Sequence, residues 1–533
     1  MNRIKKIIAI TFVFVLIFTN ISFAESKIKW DEEIIYFILT DRFFDGDKSN
    51  NELYGKDSYD LNHLEAYHGG DFQGIIDKVS YLRELGITTL WITPVVKNIE
   101  TNMRKDINDK QYGYHGYWAE DFTKIDPHLG NEEKLMELVD VLADNGIKLM
   151  VDVVLNHAGY GMNNEKQFND MFRKNPDKSE VKGELAGLPD FKTEEREVRD
   201  KLIKWQSYWA NKISPKGNKI AYFRVDTVKH VDKDTWKDFK SKIIELNPNF
   251  KMIGEVFDAN ITKTGGYLDD SMMDSLLDFD FKNVAYSFSK GNFEDVNRKL
   301  KFRNSKINEN ITMGQFLSSH DENGFLKMKL NNDVNLFKPV VSLQLTTKGQ
   351  PVIYYGEEIG MSGKKDDFTN GVYSENRESF KWDKVKDNKL TDHYKKMIEI
   401  RKMQKDVFSK GGREMVYSDK NVYVFERKFG DKSIITFLNK SNENQNIEID
   451  NKFNSMNLVN LYSREEIKAG KTIKVNVPKN EAGGTVVLID KNYVPKDFKV
   501  KKHYSSIIYI FFVFNILLIS FIIFLIIKKK NKN

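Results

Sequence analysis

Eight short apolar runs, each followed by a stretch of helical period, fill the chain from Ile34 to about residue 400. The runs are residues 34–39, 87–93, 148–155, 221–225, 251–254, 276–279, 312–318 and 351–355. Several are nearly continuous Ile, Val, Leu and Phe, which suits parallel strands buried on both faces. The stretches between them, such as 74–85, 131–145 and 195–212, place apolar residues on one helical face. Eight strands alternating with helices predict an α/β fold, a (β/α)8 TIM barrel over residues 25–404.

Two regions break this rhythm. Residues 158–194, after the third strand, are polar and hold Asn, Gly and Pro, so they read as a small inserted domain. Residues 405–490 change period: 422–427, 433–438, 444–449, 471–477 and 485–489 are short runs that alternate apolar and polar. They predict a C-terminal antiparallel β-sandwich. Residues 491–504 are a charged linker.

The two ends carry membrane signals. Residues 1–24 read as a signal peptide: Arg3, Lys5 and Lys6, an apolar stretch over 7–19, then Ser22, Phe23 and Ala24 before a cut. Residues 505–527 read as a transmembrane helix, since 507–527 hold 21 residues without a charge. Lys528, Lys529 and Lys530 follow and mark 528–533 as a cytoplasmic tail. The expectation is a single-pass protein, monomeric, with its bulk on the extracellular face of the membrane. The net charge is +6, but seven of the positive charges lie in these two ends and leave the middle at about −1. Nothing there attracts nucleic acid by bulk charge. Cysteine is absent, which excludes thiol catalysis and thiolate zinc sites.

In such a barrel, chemistry is read at the C-terminal ends of the strands. Four of these ends are charged or polar. Strand three offers Asp152, Asn156 and His157; strand four offers Arg224, Asp226, Lys229 and His230. Strand five ends in Glu255, and strand seven in His320, Asp321 and Glu322. Barrel topology brings Asp226, Glu255 and Asp321 to one mouth, where they cannot all ionise cheaply. One should have a raised pKa and act as an acid, the pairing that glycoside hydrolysis requires.

These segments resemble the α-amylase family of glycoside hydrolases. Residues 152–157, 223–230, 254–257 and 316–321 are similar to its four successive motifs, and Leu188, Pro189 and Asp190 to a fifth in the inserted domain. The resemblance spans about 30–490, with an N-terminal loop similar to that of cyclodextrin glucanotransferases. It implies that Asp226 is the nucleophile, Glu255 the general acid/base and Asp321 the acid that orients the sugar, in a retaining mechanism. Arg224, two residues before Asp226 on one strand, should keep that carboxylate ionised. The resemblance further implies that His157 and His320 bind sugar at the scissile position, and that Lys229 and His230 lie on the product side. The resemblance likewise implies that, in residues 114–118, His115 contacts sugar and Tyr117 is the stacking platform. It implies calcium twice. One set is Asn156, Asp190 and the carbonyl of His230. The other is Asp45, Asp47, Asn50, Asn51, Gly69 and Asp71, with oxygens suited to a hard cation. Arg377 lies in a segment that departs from the family's pattern and is not counted in the site.

The expected substrates are α-1,4-linked glucans: starch, glycogen or maltooligosaccharides. A relative that degrades cyclodextrin or pullulan, or a transglycosylase, is the alternative within enzymes, although Leu188-Pro189-Asp190 favours the amylase side. A non-catalytic glucan-binding or partner module is the alternative outside them.

Overall fold

The computed structural model describes residues 28–104, 109–308, 310–367 and 374–501. The expected signal peptide, transmembrane helix and cytoplasmic tail lie outside the described residues. Among the described residues no helix is long and apolar enough to cross a membrane.

Eight parallel strands close a barrel. They are β1 (Ile35–Ile38), β2 (Thr89–Ile92), β3 (Lys148–Val153), β4 (Tyr222–Val225), β5 (Lys251–Gly254), β6 (Ser275–Asp278), β7 (Thr312–Phe316) and β8 (Gln350–Tyr354). Each pairs with its neighbours in sequence, and β1 closes the ring by pairing with both β2 and β8. Every residue of β1, β2, β4, β6, β7 and β8 is buried, as the continuous apolar runs require. The register sets Asp152 of β3 beside Arg224 of β4, and Val225 beside Gly254. That alignment decides which side chains meet at the mouth.

The helix Glu132–Asp144 shows how local sequence fixes the outer layer. Asn131 caps it, accepting from Lys134 N at 2.8 Å, and Glu132 and Glu133 face the positive end of its dipole. Leu135, Leu138, Val139 and Leu142 bury one face. The single helix expected over 74–85 is two, Phe72–Asp77 and Val79–Leu85. They part at Lys78, whose N–H is shared among three carbonyls while its ammonium lies 3.7 Å from the Phe44 ring centre.

The connection from β2 to β3 holds structure that periodicity alone did not announce. Val96–Asn98 pairs with Ala119–Ile125, and Thr101–Arg104 with Asp109–Tyr112. These ribbons are too short and too polar to show a clear alternation, and they raise one wall of the barrel mouth.

After the barrel, Gly412–Ser418, Val422–Phe429, Lys432–Asn439, Asn457–Asn460, Glu465–Lys468 and Thr485–Asp490 form a six-stranded sheet. Gln445–Asp450 and Thr472–Val477 form a second layer of two strands. Val424, Ile435 and Val486 of the first meet Ile447, Ile473 and Val475 of the second in one apolar core. The buried Arg427 seats this unit on the barrel by donating to the carbonyls of Thr346, Val407, Phe408 and Gly411.

Candidate active site

Arg224 is the centre of the barrel mouth and is 1% exposed. Its Nη1 donates to both oxygens of Asp152, at 3.1 and 2.9 Å, and to Asp226 Oδ1 at 2.6 Å. Its Nη2 lies 3.2 Å from Glu255 Oε2. One guanidinium therefore meets the ends of three adjacent strands. Tyr117 Oη at 2.7 Å and Trp91 Nε1 at 3.3 Å complete the donors to Asp152 Oδ2. Burial still pushes Asp152 up to about 7, against the pull of Arg224.

The two carboxylates facing the cleft differ from Asp321. Burial, reinforced by the charges of Asp226 and Asp321, raises Glu255 to about 7 despite Arg224. Burial also raises Asp226, and the charge of Asp321 adds to this; Arg224 pulls the other way, the direction expected of it. For Asp321 burial is outweighed: His320 Nε2 at 2.9 Å and Arg377 Nη2 at 3.1 Å hold it well below the carboxylate range. The raised acid anticipated from sequence is Glu255. Its Oε2 also accepts from Thr227 N at 3.1 Å, so Oε2 carries both this bond and the ion pair with Arg224. Thr227 sits at φ 47, a left-handed conformation uncommon for a β-branched residue and of the kind found at functional sites.

Asp226, Glu255 and Asp321 line one cleft of 710 Å3 together with His115, His157 and His320. Burial shifts these histidines toward the neutral form. Burial lowers His157 to about 4, lowers His320, and lowers His115 strongly with help from Arg377. Neutral imidazoles can donate or accept toward hydroxyl groups, and His157 is buried on this cleft. The Tyr117 ring stacks on His320 with centroids 5.3 Å apart and lies beside the cleft. Lys229 and His230 line the same cleft and bind the inserted domain through the Glu180 side chain and carbonyl.

Four contributors were not counted in the site from sequence. Asn376 Nδ2 donates to the carbonyls of Ser319, His320 and Glu322, at 3.2, 2.8 and 3.0 Å. Arg377 Nε donates to His320 O at 2.9 Å, so both residues fasten the loop that bears Asp321. Phe257, 47% exposed, is an aromatic on the cleft beside Lys229. Its place two residues after Glu255 was the signal available. Arg173 binds Asp190 Oδ2 at 2.6 Å and grips Glu194 with two nitrogens.

The two calcium sets can be tested against donor chemistry. Among the described residues no cluster of three His, Cys, Asp or Glu side chains could hold a metal, so both sets depend on amide and backbone oxygens. In the N-terminal loop, Asp45 Oδ1, Asn50 Oδ1 and Asn51 Oδ1 are buried without a partner. Asn51 bonds Asp45, and Asn50 bonds Asp71, which gathers four of the six residues. Gly69, at φ +84, brings its backbone close: a Cβ there would meet Asn51 Oδ1 at 2.6 Å. Asp47 is exposed and binds Ser49. At the junction, one terminal atom of the Asn156 amide lies 3.2 Å from Asp190 Oδ1 and 2.9 Å from His230 O. With oxygen in that position, three oxygens converge as cation ligands would; with nitrogen, the amide bridges the other two. Both sets fit a hard cation.

Comparison with known proteins agrees with this geometry. The family model for the alpha-amylase catalytic domain matches residues 37–182 and 174–413. The chain belongs to the alpha-amylase family. A cyclomaltodextrinase of Thermoanaerobacter pseudethanolicus is 30% identical over 451 residues, covering 78% of this chain and 72% of that protein. A beta/alpha-amylase of Paenibacillus polymyxa is 33% identical over 472 residues, 82% of this chain but 36% of that protein, so the chain spans about a third of that relative. The crystal structure of an Anoxybacillus alpha-amylase superposes with a TM-score of 0.75 at 28% identity, covering 87% of this chain and 99% of that one. The protein is a retaining glycoside hydrolase.

The loop contacts lead to a prediction. Replacing Asn376 by Ala strands three carbonyls and loosens the seat of Asp321, so kcat/KM on amylose should fall by about 100-fold. Steady-state kinetics beside a melting curve would check this; an unchanged kcat/KM would show that the loop holds itself.

Proposed function

We propose that this enzyme hydrolyses α-1,4-glucosidic bonds in starch, glycogen or maltooligosaccharides. The observation that carries the reading is the Arg224 constellation, which presents Glu255, raised to about 7, and Asp226 to the one cleft that Asp321 also lines. Glu255 gives its proton to the glycosidic oxygen while Asp226 attacks the anomeric carbon, and the bond between that carbon and oxygen breaks. Asp226 then holds the sugar as an ester. Glu255, now a carboxylate, takes a proton from water; the water oxygen displaces Asp226 and the first anomeric configuration returns. Asp321, kept ionised by His320 and Arg377, accepts sugar hydroxyls and favours the positive charge that develops at the anomeric carbon. A narrower taste for cyclodextrin or pullulan is the second reading. It is supported by relatives named cyclomaltodextrinase and neopullulanase and by the aromatic Phe257.

Replacing Glu255 by Gln should lower kcat on amylose by at least about 1,000-fold while leaving glucan binding intact. In the wild type the acid must be protonated, so kcat/KM should fall as pH rises through about 7, the Glu255 value. A rate still rising at pH 8 would exclude Glu255 as the acid. Profiling the products from maltoheptaose, pullulan and cyclodextrin separates the two readings.

We also propose that calcium is structural here. Asp45, Asp47, Asn50, Asn51, Gly69 and Asp71 would hold one ion, and Asn156, Asp190 and His230 O the other. The ion would neutralise buried oxygens and tie loop to barrel. A chelator should lower the melting temperature, and added calcium should restore it; a melting curve indifferent to both would dismiss the ion.

The sequences of residues 1–24 and 505–527 support a place on the extracellular face of the membrane. Protease added to intact cells should then remove the catalytic unit, whereas full protection would refute the placement.

A further inference from the structure

The cleft has two ends. Lys229, His230 and Phe257 cluster at one, joined through the Lys229–Phe257 contact and the hold on Glu180. Across the barrel from the end of β5, on the segments that follow β1 and β2, lie Glu65 and Gln111. Both are almost fully buried, at 3% and 6% exposure, yet both line the cleft. Gln111 Nε2 donates to Glu65 Oε2 at 3.2 Å. Among the described residues Glu65 Oε1 accepts from the Ser374 N–H, at 3.4 Å, and the Arg377 guanidinium is its nearby positive charge.

A carboxylate has about four acceptor directions, and a buried one is costly when they go unfilled. Among the described residues two long bonds from neutral donors reach the Glu65 carboxylate, which leaves acceptor directions for a hydroxyl. The backbone around it is nevertheless fixed. Arg42 Nη2 donates to Leu64 O at 2.8 Å and Ala66 O at 2.7 Å, on either side of Glu65. Tyr112 N donates to Glu65 O at 2.9 Å, which ties the ribbon carrying Gln111 to the same point. Rigid support behind an under-filled acceptor is the build of a binding group rather than of a core residue.

We propose that Glu65 and Gln111 form a sugar subsite at the end of the cleft opposite Phe257. There the carboxylate accepts one hydroxyl of a glucose unit and the Gln111 amide oxygen binds its neighbour. This inference rests on the α-glucan reading above. Hydroxyl donors give short, strong bonds to an anion. The same buried charge repels phosphate or carboxylate substituents on that unit. The subsite therefore selects neutral, unsubstituted glucose and sets where along the chain the cut falls.

The test uses the full-length enzyme and reducing-end-labelled maltoheptaose, comparing the wild type with Glu65→Gln and with Gln111→Ala. Glu65→Gln keeps the shape, and Gln111→Ala acts from a different element, so the second decides if the first fails to fold. Both should move the main cleavage position. Both should also raise KM for maltotetraose by about tenfold, near 1.4 kcal/mol, with kcat within about twofold. Loss of kcat alone would assign Glu65 a structural role through Arg377 and overturn the subsite. Unchanged cleavage positions and KM in folded variants would overturn it too, leaving the α-glucanase reading intact. A wild type that cleaves no maltoheptaose would overturn that reading and the subsite with it.

Discussion

The site depends on one cation facing three acids. Arg224 reaches Asp152, Asp226 and Glu255 from inside the barrel, where little water can share the load. Taking charges out of water is repaid only when pairing geometry is good. A planar guanidinium can meet three carboxylates at once, whereas a lysine ammonium offers a single point. Burial works against all three carboxylates. Asp152 and Glu255 are both pushed to about 7. Asp152 is walled in by Tyr117 and Trp91, so the proton useful to chemistry is the one on Glu255.

Much of this was readable in the sequence because the barrel repeats one local rule. Each strand is a continuous apolar run, and each polar residue just past its end is an exception that points into the mouth. Asp226, Glu255 and Asp321 were visible for that reason. What was not visible is what distant segments build together. Asn376 and Arg377 look like ordinary loop residues until the β7 loop folds against them. Glu65 and Gln111 are 46 residues apart and share no period. The ribbons between β2 and β3 are too short to alternate clearly, and the break at Lys78 turns on a ring contact with Phe44 that no helical pattern records.

In a chain without cysteine, buried arginines do the fastening. Arg42 pins the loop around Glu65, Arg173 pins the inserted segment to Asp190 and Glu194, and Arg377 pins the Asp321 loop. Arg427 does the same for the C-terminal sheets, using only carbonyls. Each places several donors in a fixed plane, so each fixes orientation as well as distance. The oxygen-rich N-terminal loop follows a different principle: it gathers acceptors with too few donors among them.

The two bonds to Glu255 Oε2 have a consequence for what the enzyme makes. With that oxygen engaged by Arg224 and Thr227, a single oxygen must release the proton in the first half of the cycle and recover one in the second. The departing chain and the incoming nucleophile therefore queue for one doorway.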